Sequence, residues 1–489
     1  MKLQSTRSEN FVTDTAAVVN GLAPDGGLYV DPGISERFFD AEGCVKDTPY
    51  GIAARLLGAL LPGFDDPQKI ISDAYSERFS APDITPVVYA GDYAVCELFH
   101  GPTSAFKDVA LSVLPLLMTK ARAAEGIDGR TVILTATSGD TGKAALEGFR
   151  DVPGTGITVF YPDEGVSAIQ KLQMTSQLGG NVNVCAVRGD FDDCQSGVKN
   201  AFSSLQNDDR LRSAGIGLSS ANSINIGRLV PQVAYYFITY SEMMASGRLK
   251  YGDALNFVVP TGNFGDILAG YLAKQMGLPV GKLICASNRN NVLTDFLNTG
   301  VYDRRRPLYK TQSPSMDILV SSNLERLLFY KSGCDSNMVS RLMNDLSVSG
   351  RYEIGAEMLG SISDDFEGDF CDEQHTLDVI GRVWNEYGYL CDTHTAVAFG
   401  AAENFRKRYG DLPVAVLSTA SPYKFSDAVL RGIGEIPGDD VFANMQRLSE
   451  ISGIPVPSNL GGLKDMKVRF TDVIDRDGIT DYVLEKLLG

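Results

Sequence analysis

Through the middle of the chain, short β-branched and apolar runs alternate with longer stretches whose apolar residues recur at helical spacing. Thr131–Ala136 reads as a strand followed by a Gly loop and a helix through Ala144 to Phe149. Gly156–Tyr161 precedes a helical stretch around Ser167 to Leu178, and Asn183–Val187 leads into Phe191–Phe202. Asn256–Pro260 leads into Ile267–Met276, and Lys282–Ala286 follows. Val414–Ser418 is a late strand before a turn and a helix from about Phe425. This alternation predicts an α/β protein with mostly parallel sheets, organised as two open α/β subdomains over 91–430. Residues 1–90, with the turn-rich Gly21–Val30, read as an N-terminal domain, and 431–489 as a helical tail broken by Gly and Pro.

Three strand–loop–helix junctions carry the candidate chemistry. In His100-Gly-Pro-Thr-Ser-Ala-Phe-Lys107-Asp108 a lysine lies between a strand-like run, Tyr93–Phe99, and a helix beginning near Val109. The positive end of a helix disfavours its ammonium form, which suits an amine that must shed its proton to form an imine. Alone, such a lysine is ordinarily a surface residue. The second junction is Thr135-Ala-Thr-Ser-Gly-Asp-Thr-Gly142, whose small residues let backbone and hydroxyls approach an anion. It fails as an NTPase phosphate loop, because Thr137 stands where Gly is required and Ala144 where Ser or Thr would bind magnesium. The third is Val259-Pro-Thr-Gly-Asn-Phe-Gly-Asp266, suited to wrapping a phosphate and lacking dinucleotide spacing. A phosphorylated aldehyde acting on a phosphorylated substrate needs all three.

Composition narrows the class. The 489 residues exceed one typical domain, and 44% apolar with 21% charged is ordinary for a globular chain. A formal charge of −17 argues against nucleic acid and acidic membrane surfaces, and Arg304-Arg305-Arg306 reads as a solvated loop. Eight scattered cysteines without a Cys-x-x-Cys pair, and three histidines, predict a reducing compartment and no metal site. The N-terminus lacks the apolar core of a signal peptide, and no apolar run approaches membrane-spanning length. The expectation is a cytoplasmic enzyme, monomer or homodimer, acting on a small molecule.

The three loops together closely resemble the threonine synthase family, pyridoxal-phosphate enzymes with the tryptophan-synthase β-subunit fold. The resemblance extends from Ser5-Thr-Arg7 and Gly21–Val30 through Asn222–Arg228, Pro314–Ile318, Ser321–Leu328 and His394-Thr-Ala396 to Ser418-Thr-Ala420 with Lys424-Phe425. Both extra terminal parts look like the longer bacterial and fungal branch. Carried over position by position, the resemblance implies Lys107 as the Schiff-base lysine and catalytic base. It implies Gly262, Asn263, Phe264, Gly265 and Asp266 around the phosphate of pyridoxal 5'-phosphate, Thr419 at its ring nitrogen, and Asp140 beside its ring oxygen. Ser138, Thr141, Asn222, Ser223 and Arg228 fall where substrate carboxylate and phosphate contacts are expected, and an arginine suits a phosphate dianion. Ser104, Lys143, Thr393 and Ser421 depart from the usual pattern; Lys143 and Ser421 lie near site residues in the sequence, which leaves open whether they alter substrate preference. His394 reads as a packed structural histidine.

The resemblance implies conversion of O-phospho-L-homoserine and water to L-threonine and phosphate. Two alternatives stay open: a phospho-lyase yielding 2-oxobutanoate, and a non-catalytic binding protein on the same scaffold. An imine-forming amine argues against the second.

Overall fold

In the computed structural model every residue is described except Ser138, Gly165 and Gly489, with Asp192 described by its backbone alone. Two sheets organise the chain. The larger runs Phe366–Phe370, Val280–Ser287, Leu255–Pro260, Val414–Ser418, Tyr93–Glu97, Val87–Ala90, and only the last of these is antiparallel to its neighbour. The smaller runs Val473–Asp475, Val182–Arg188, Thr155–Pro162, Arg130–Ala136, Ile216–Ser219, parallel throughout. Strands covered on both faces must be apolar almost continuously, and Leu255–Pro260, Thr155–Pro162 and Val414–Ser418 are buried at every position. Their register fixes the crevice. Val258 pairs with Val416 and Leu417 with Cys96, so the strands ending at Pro260, Ser418 and Glu97 release their loops toward one place. In open α/β sheets, that carboxyl edge is where ligands bind.

Local signals set the helix starts. Ser167 and Gln170 form a reciprocal capping box at the helix Ala168–Thr175, each side chain 3.2 Å from the other's backbone N–H. The helix Asp140–Phe149 begins four residues before the predicted Ala144, directly after Gly139, whose φ of 141° few residues other than glycine adopt.

The N-terminal part braces the crevice from outside. Lys2–Ser5 pairs antiparallel with Phe11–Thr13 and Tyr29–Val30. Arg7 reaches both oxygens of Glu325 (2.8 and 2.7 Å), and the fully buried Arg326 donates to the carbonyls of Tyr29 and Ile224 at 3.0 and 2.6 Å. Asn225 Nδ2 donates to Val18 O at 2.9 Å, which anchors the 222–228 segment on the helix Asp14–Asn20. The segment after residue 430 holds helices and also contributes the short strand Val473–Asp475 to the smaller sheet. Three residues are too few to display alternation, so no pattern foretold it. Among the described residues no helix is long and apolar enough to cross a membrane.

Candidate active site

Lys107 is the first residue of the helix Lys107–Ala124. The turn before it is tied to the strand end at 418–421: Leu98 N donates to Ser418 O (2.9 Å), Phe106 N to Thr419 O (2.8 Å) and Ser421 N to Ser104 O (3.1 Å). Asp108 closes the turn by accepting from Thr103 N (2.8 Å) and Thr103 Oγ1 (2.5 Å), and burial pushes its carboxyl up to about 6. Ser104 sits at φ 58°, a left-handed conformation that non-glycine residues hold only where surroundings enforce it. The loop is thus over-determined, and it delivers Lys107 into a cavity of about 220 Å³.

That cavity gathers Lys107, Thr141, Asn222, Ser223, Arg228, the run Gly262–Asp266 and Thr419. Ser138 lies outside the described residues. Asp140 alone of the other predicted residues does not line the cavity; its carboxylate lies behind Lys107, 3.8 Å from Nζ. Lys143 also turns away. It is held by Gln177 and by Glu147 at 3.4 Å, outside the cavity lining. Ser421 caps the turn Pro422–Phe425 and lines a different hollow. Neither residue lines the crevice, so the structure gives neither a direct contact through which to alter substrate preference.

The loop after Leu255–Pro260 has the make-up of an anion cradle. Ser321 Oγ donates to the Gly262 carbonyl (2.8 Å), while Asn323 N and Nδ2 donate to that of Asn263 (3.1 and 2.9 Å). With the carbonyls turned outward, the amides of Gly262 through Asp266 have no acceptor among the described residues. Phe264 holds φ 60° at the start of the helix Gly265–Gln275, its ring packed 5.5 Å from that of Phe366. A Cβ at Gly262 would lie 2.8 Å from the Ser315 carbonyl, so only glycine lets these two backbones approach. Unmet amides at a helix N-terminus suit a phosphate. Asp266 follows in the first turn of that helix: Tyr236 Oη donates to its carbonyl at 2.8 Å and lies 3.1 Å from Oδ1, its second carboxyl oxygen has no partner among the described residues, and burial lifts its carboxyl to about 7.

Arg228 is the cavity's other anchor. It is 4% exposed, and its guanidinium donates to the Ala221 carbonyl at 2.9 Å; no carboxylate pairs with it among the described residues. Burial brings it down from 12.5 to about 10. Burial likewise lowers Lys107 to about 8; Asp140 opposes that shift, while Arg228 and Lys424 reinforce it. His394 joins the wall through a directed chain. Its Nδ1 lies 2.6 Å from Asp392 Oδ2, and its Nε2 accepts the Ser315 N–H at 3.2 Å. This histidine holds the Ser315 turn, in keeping with a packed residue, while its ring also lines the cavity.

Sequence reasoning gave no role to Ser315, Gln170, Gln195, Lys199 or Lys424. Ser315 accepts from Lys107 Nζ (3.2 Å) and contacts Asp140 (3.3 Å), and Gln170 Nε2 donates to Asp140 at 2.9 Å. Gln195 and Lys199, one helical turn apart on Phe191–Leu205, line the cavity from the smaller sheet's side. Ser315 and Lys424 lie inside the resembling motifs, which marked them without saying what they touch.

Comparison with known proteins identifies the family. The family described as pyridoxal-phosphate dependent enzyme matches residues 83–419, and that described as threonine synthase, C-terminal, matches 395–483. Threonine synthase of Pseudomonas aeruginosa is 39% identical over 423 residues, 85% of this chain and 87% of that one. Threonine synthase-like 1 of Homo sapiens is also 39% identical, over 85% of this chain, which spans 57% of its length. The crystal structure of PLP-bound threonine synthase from Brucella melitensis is 37% identical and superposes with a TM-score of 0.86, covering 99% of this chain and 98% of that one. The lysine at a helix start, the amide cradle and the lone arginine sit on that shared frame, and the chain belongs to the threonine synthase family of pyridoxal-phosphate-dependent enzymes.

Proposed function

We propose that the chain converts O-phospho-L-homoserine and water to L-threonine and inorganic phosphate. The observation that carries this reading is Arg228, a buried cation without a carboxylate partner among the described residues, in the same cavity as the amine of Lys107. A guanidinium kept dry and unpaired calls for an anion, and a phosphate dianion takes two of its donors at once.

Pyridoxal phosphate, when bound, supplies the aldehyde that Lys107 engages and a ring that takes up negative charge from the substrate's Cα. The amides of Gly262–Asp266 would hold its phosphate, and the Thr419 hydroxyl would meet its ring nitrogen without adding a charge there. Lys107 acts as the base. At about 8 it is discharged in part near neutral pH, so its Nζ can take the Cα proton and later move protons at Cβ and Cγ. Arg228 grips the γ-phosphate with Asn222 and Ser223 beside it, while Thr141 attends the substrate carboxylate. The Cγ–O bond breaks and phosphate leaves; water's oxygen bonds to Cβ, Cβ gives up a proton and Cγ gains one, with no net oxidation. Eight free cysteines, seven of them buried, support a reducing, cytoplasmic setting; the chain works on a small molecule as a monomer or homodimer, without nucleic acid.

The test is product analysis with O-phospho-L-homoserine. Threonine and phosphate in equal amounts support the reading. 2-Oxobutanoate with ammonia would replace it by the phospho-lyase alternative, and absence of any turnover in cofactor-loaded protein by the binding-protein alternative.

A further inference from the structure

Two lysines converge on one buried carboxylate. Lys424, with no exposed side-chain surface, places Nζ 2.5 Å from Asp140 Oδ1 and 3.1 Å from the Thr103 carbonyl oxygen. Lys107 Nζ is 3.8 Å from Asp140 Oδ2, and its shorter contact is the neutral hydroxyl of Ser315 at 3.2 Å. Gln170 Nε2 adds a 2.9 Å hydrogen bond to Oδ1, so the carboxylate is steered toward Lys424.

Charge balance decides which lysine the carboxylate serves. Where burial strips most of the water from both ammonium groups, one carboxylate compensates one of them, and the second cation bears its desolvation. The nearer lysine has a charge-assisted hydrogen bond and a carbonyl acceptor besides. The farther one has a hydroxyl. We propose that Lys424 is a positioning residue: it claims the Asp140 carboxylate and thereby leaves Lys107 as the amine of the pair that gives up its proton more readily. This rests on the reading that Lys107 carries the cofactor, and it gives Asp140 a role behind the lysine, in place of one at the cofactor ring.

The groups facing Lys107 are consistent with this outcome. Asp140 favours its proton; burial, Arg228 and Lys424 oppose it; Asp108 on its own helix adds a weaker attraction, its carboxylate spent on Thr103 and Ala105. His394 meets this group through Ser315, while Asp266 and Lys199 line the same cavity.

The experiment follows pyridoxal-phosphate uptake by the full-length chain after the cofactor is stripped. Its rate is read from absorbance across pH, and the attachment site by mass mapping after borohydride trapping. Lys424→Met leaves Asp140 to Lys107, whose proton affinity rises. An unshared carboxylate at this distance moves the uptake midpoint about one pH unit or more to the alkaline side, so uptake near neutral pH falls about tenfold. Lys424→Arg keeps the charge and the wild-type midpoint. Lys424→Met with Asp140→Asn removes the anion too and returns the midpoint to the wild-type value or below, a rescue that a merely structural lysine would not give. Lys424→Gln, which keeps a donor toward Thr103 and Asp140, serves where the methionine variant fails to fold, with the same alkaline displacement expected. A folded Met or Gln variant with an unmoved midpoint overturns the inference, as does a double variant that stays displaced. Label absent from Lys107 in the unaltered chain would instead overturn the cofactor reading beneath it.

Discussion

Replacing Arg228 by methionine should damage catalysis and strengthen the fold at the same time. Burial takes the guanidinium from 12.5 to about 10, which corresponds to ~3 kcal/mol held against the charged form at neutral pH. One backbone carbonyl at 2.9 Å does not offset that cost. Methionine removes the charge and keeps most of the apolar length, so the cofactor-loaded variant melts higher, by about 3 °C for a chain of this size. Inorganic phosphate should stabilise the wild type by binding the native state and leave the variant's melting point unmoved. Loss of a charged partner for the substrate's phosphate costs ~2–5 kcal/mol, or about 30-fold to several thousand-fold in kcat/KM. The assays are thermal melts with and without phosphate, kinetics with O-phospho-L-homoserine, and cofactor content, which stays normal. A variant that melts lower, still gains stability from phosphate, and keeps its kcat/KM would refute the assignment of Arg228 to the substrate's anion site.

Lys107→Ala should fold yet give no turnover, since the residue opens a helix and its truncation removes chemistry more than packing; circular dichroism alongside the product assay checks both halves. Asp266 is raised by burial from 3.8 to about 7 in the folded chain, so the native state holds a proton that the unfolded chain has lost, and stability falls as pH climbs through that window. Asp266→Asn removes this slope: relative to the unaltered cofactor-free chain it gains ~4 kcal/mol near pH 8 and almost nothing near pH 4, read by urea denaturation at the two values. Thr419→Ser should retain most activity. Thr419→Asp places a carboxylate by the ring nitrogen and raises its proton affinity, changing the rapid-scan spectrum and the ratio of threonine to 2-oxobutanoate; an aspartate variant that matches threonine in both would move Thr419 away from the ring nitrogen.

Regular elements were legible because their signal is local. Val414–Ser418 emerges with the bounds its apolar run predicts, and Thr131–Ala136 gains one residue, Arg130. The three loops were legible for the same reason: strand, small residues and helix follow one another within a dozen positions. What stayed hidden depends on distance along the chain. Lys424 lies 284 residues from the carboxylate it pairs with, and nothing in Ser421-Pro-Tyr-Lys-Phe-Ser426 marks its ammonium as fully buried. The motif places Asp140 beside the cofactor ring but says nothing of Gln170, Ser315 and Lys424, which converge on it from three separate segments. Lys143 shows the converse: adjacent in sequence to the site, it points to Glu147 and Gln177 because a helix turns successive residues to different faces.

The central claim is that this crevice breaks the Cγ–O bond of a phosphorylated amino acid and adds water at the neighbouring carbon. Turnover of O-phospho-L-homoserine in oxygen-18 water tests it most directly. The account predicts threonine carrying one heavy oxygen at its Cβ hydroxyl, and phosphate carrying none, because phosphate leaves with all four of its original oxygens. Heavy oxygen in the phosphate, with homoserine as the other product, would mean that water attacks phosphorus, and would contradict it.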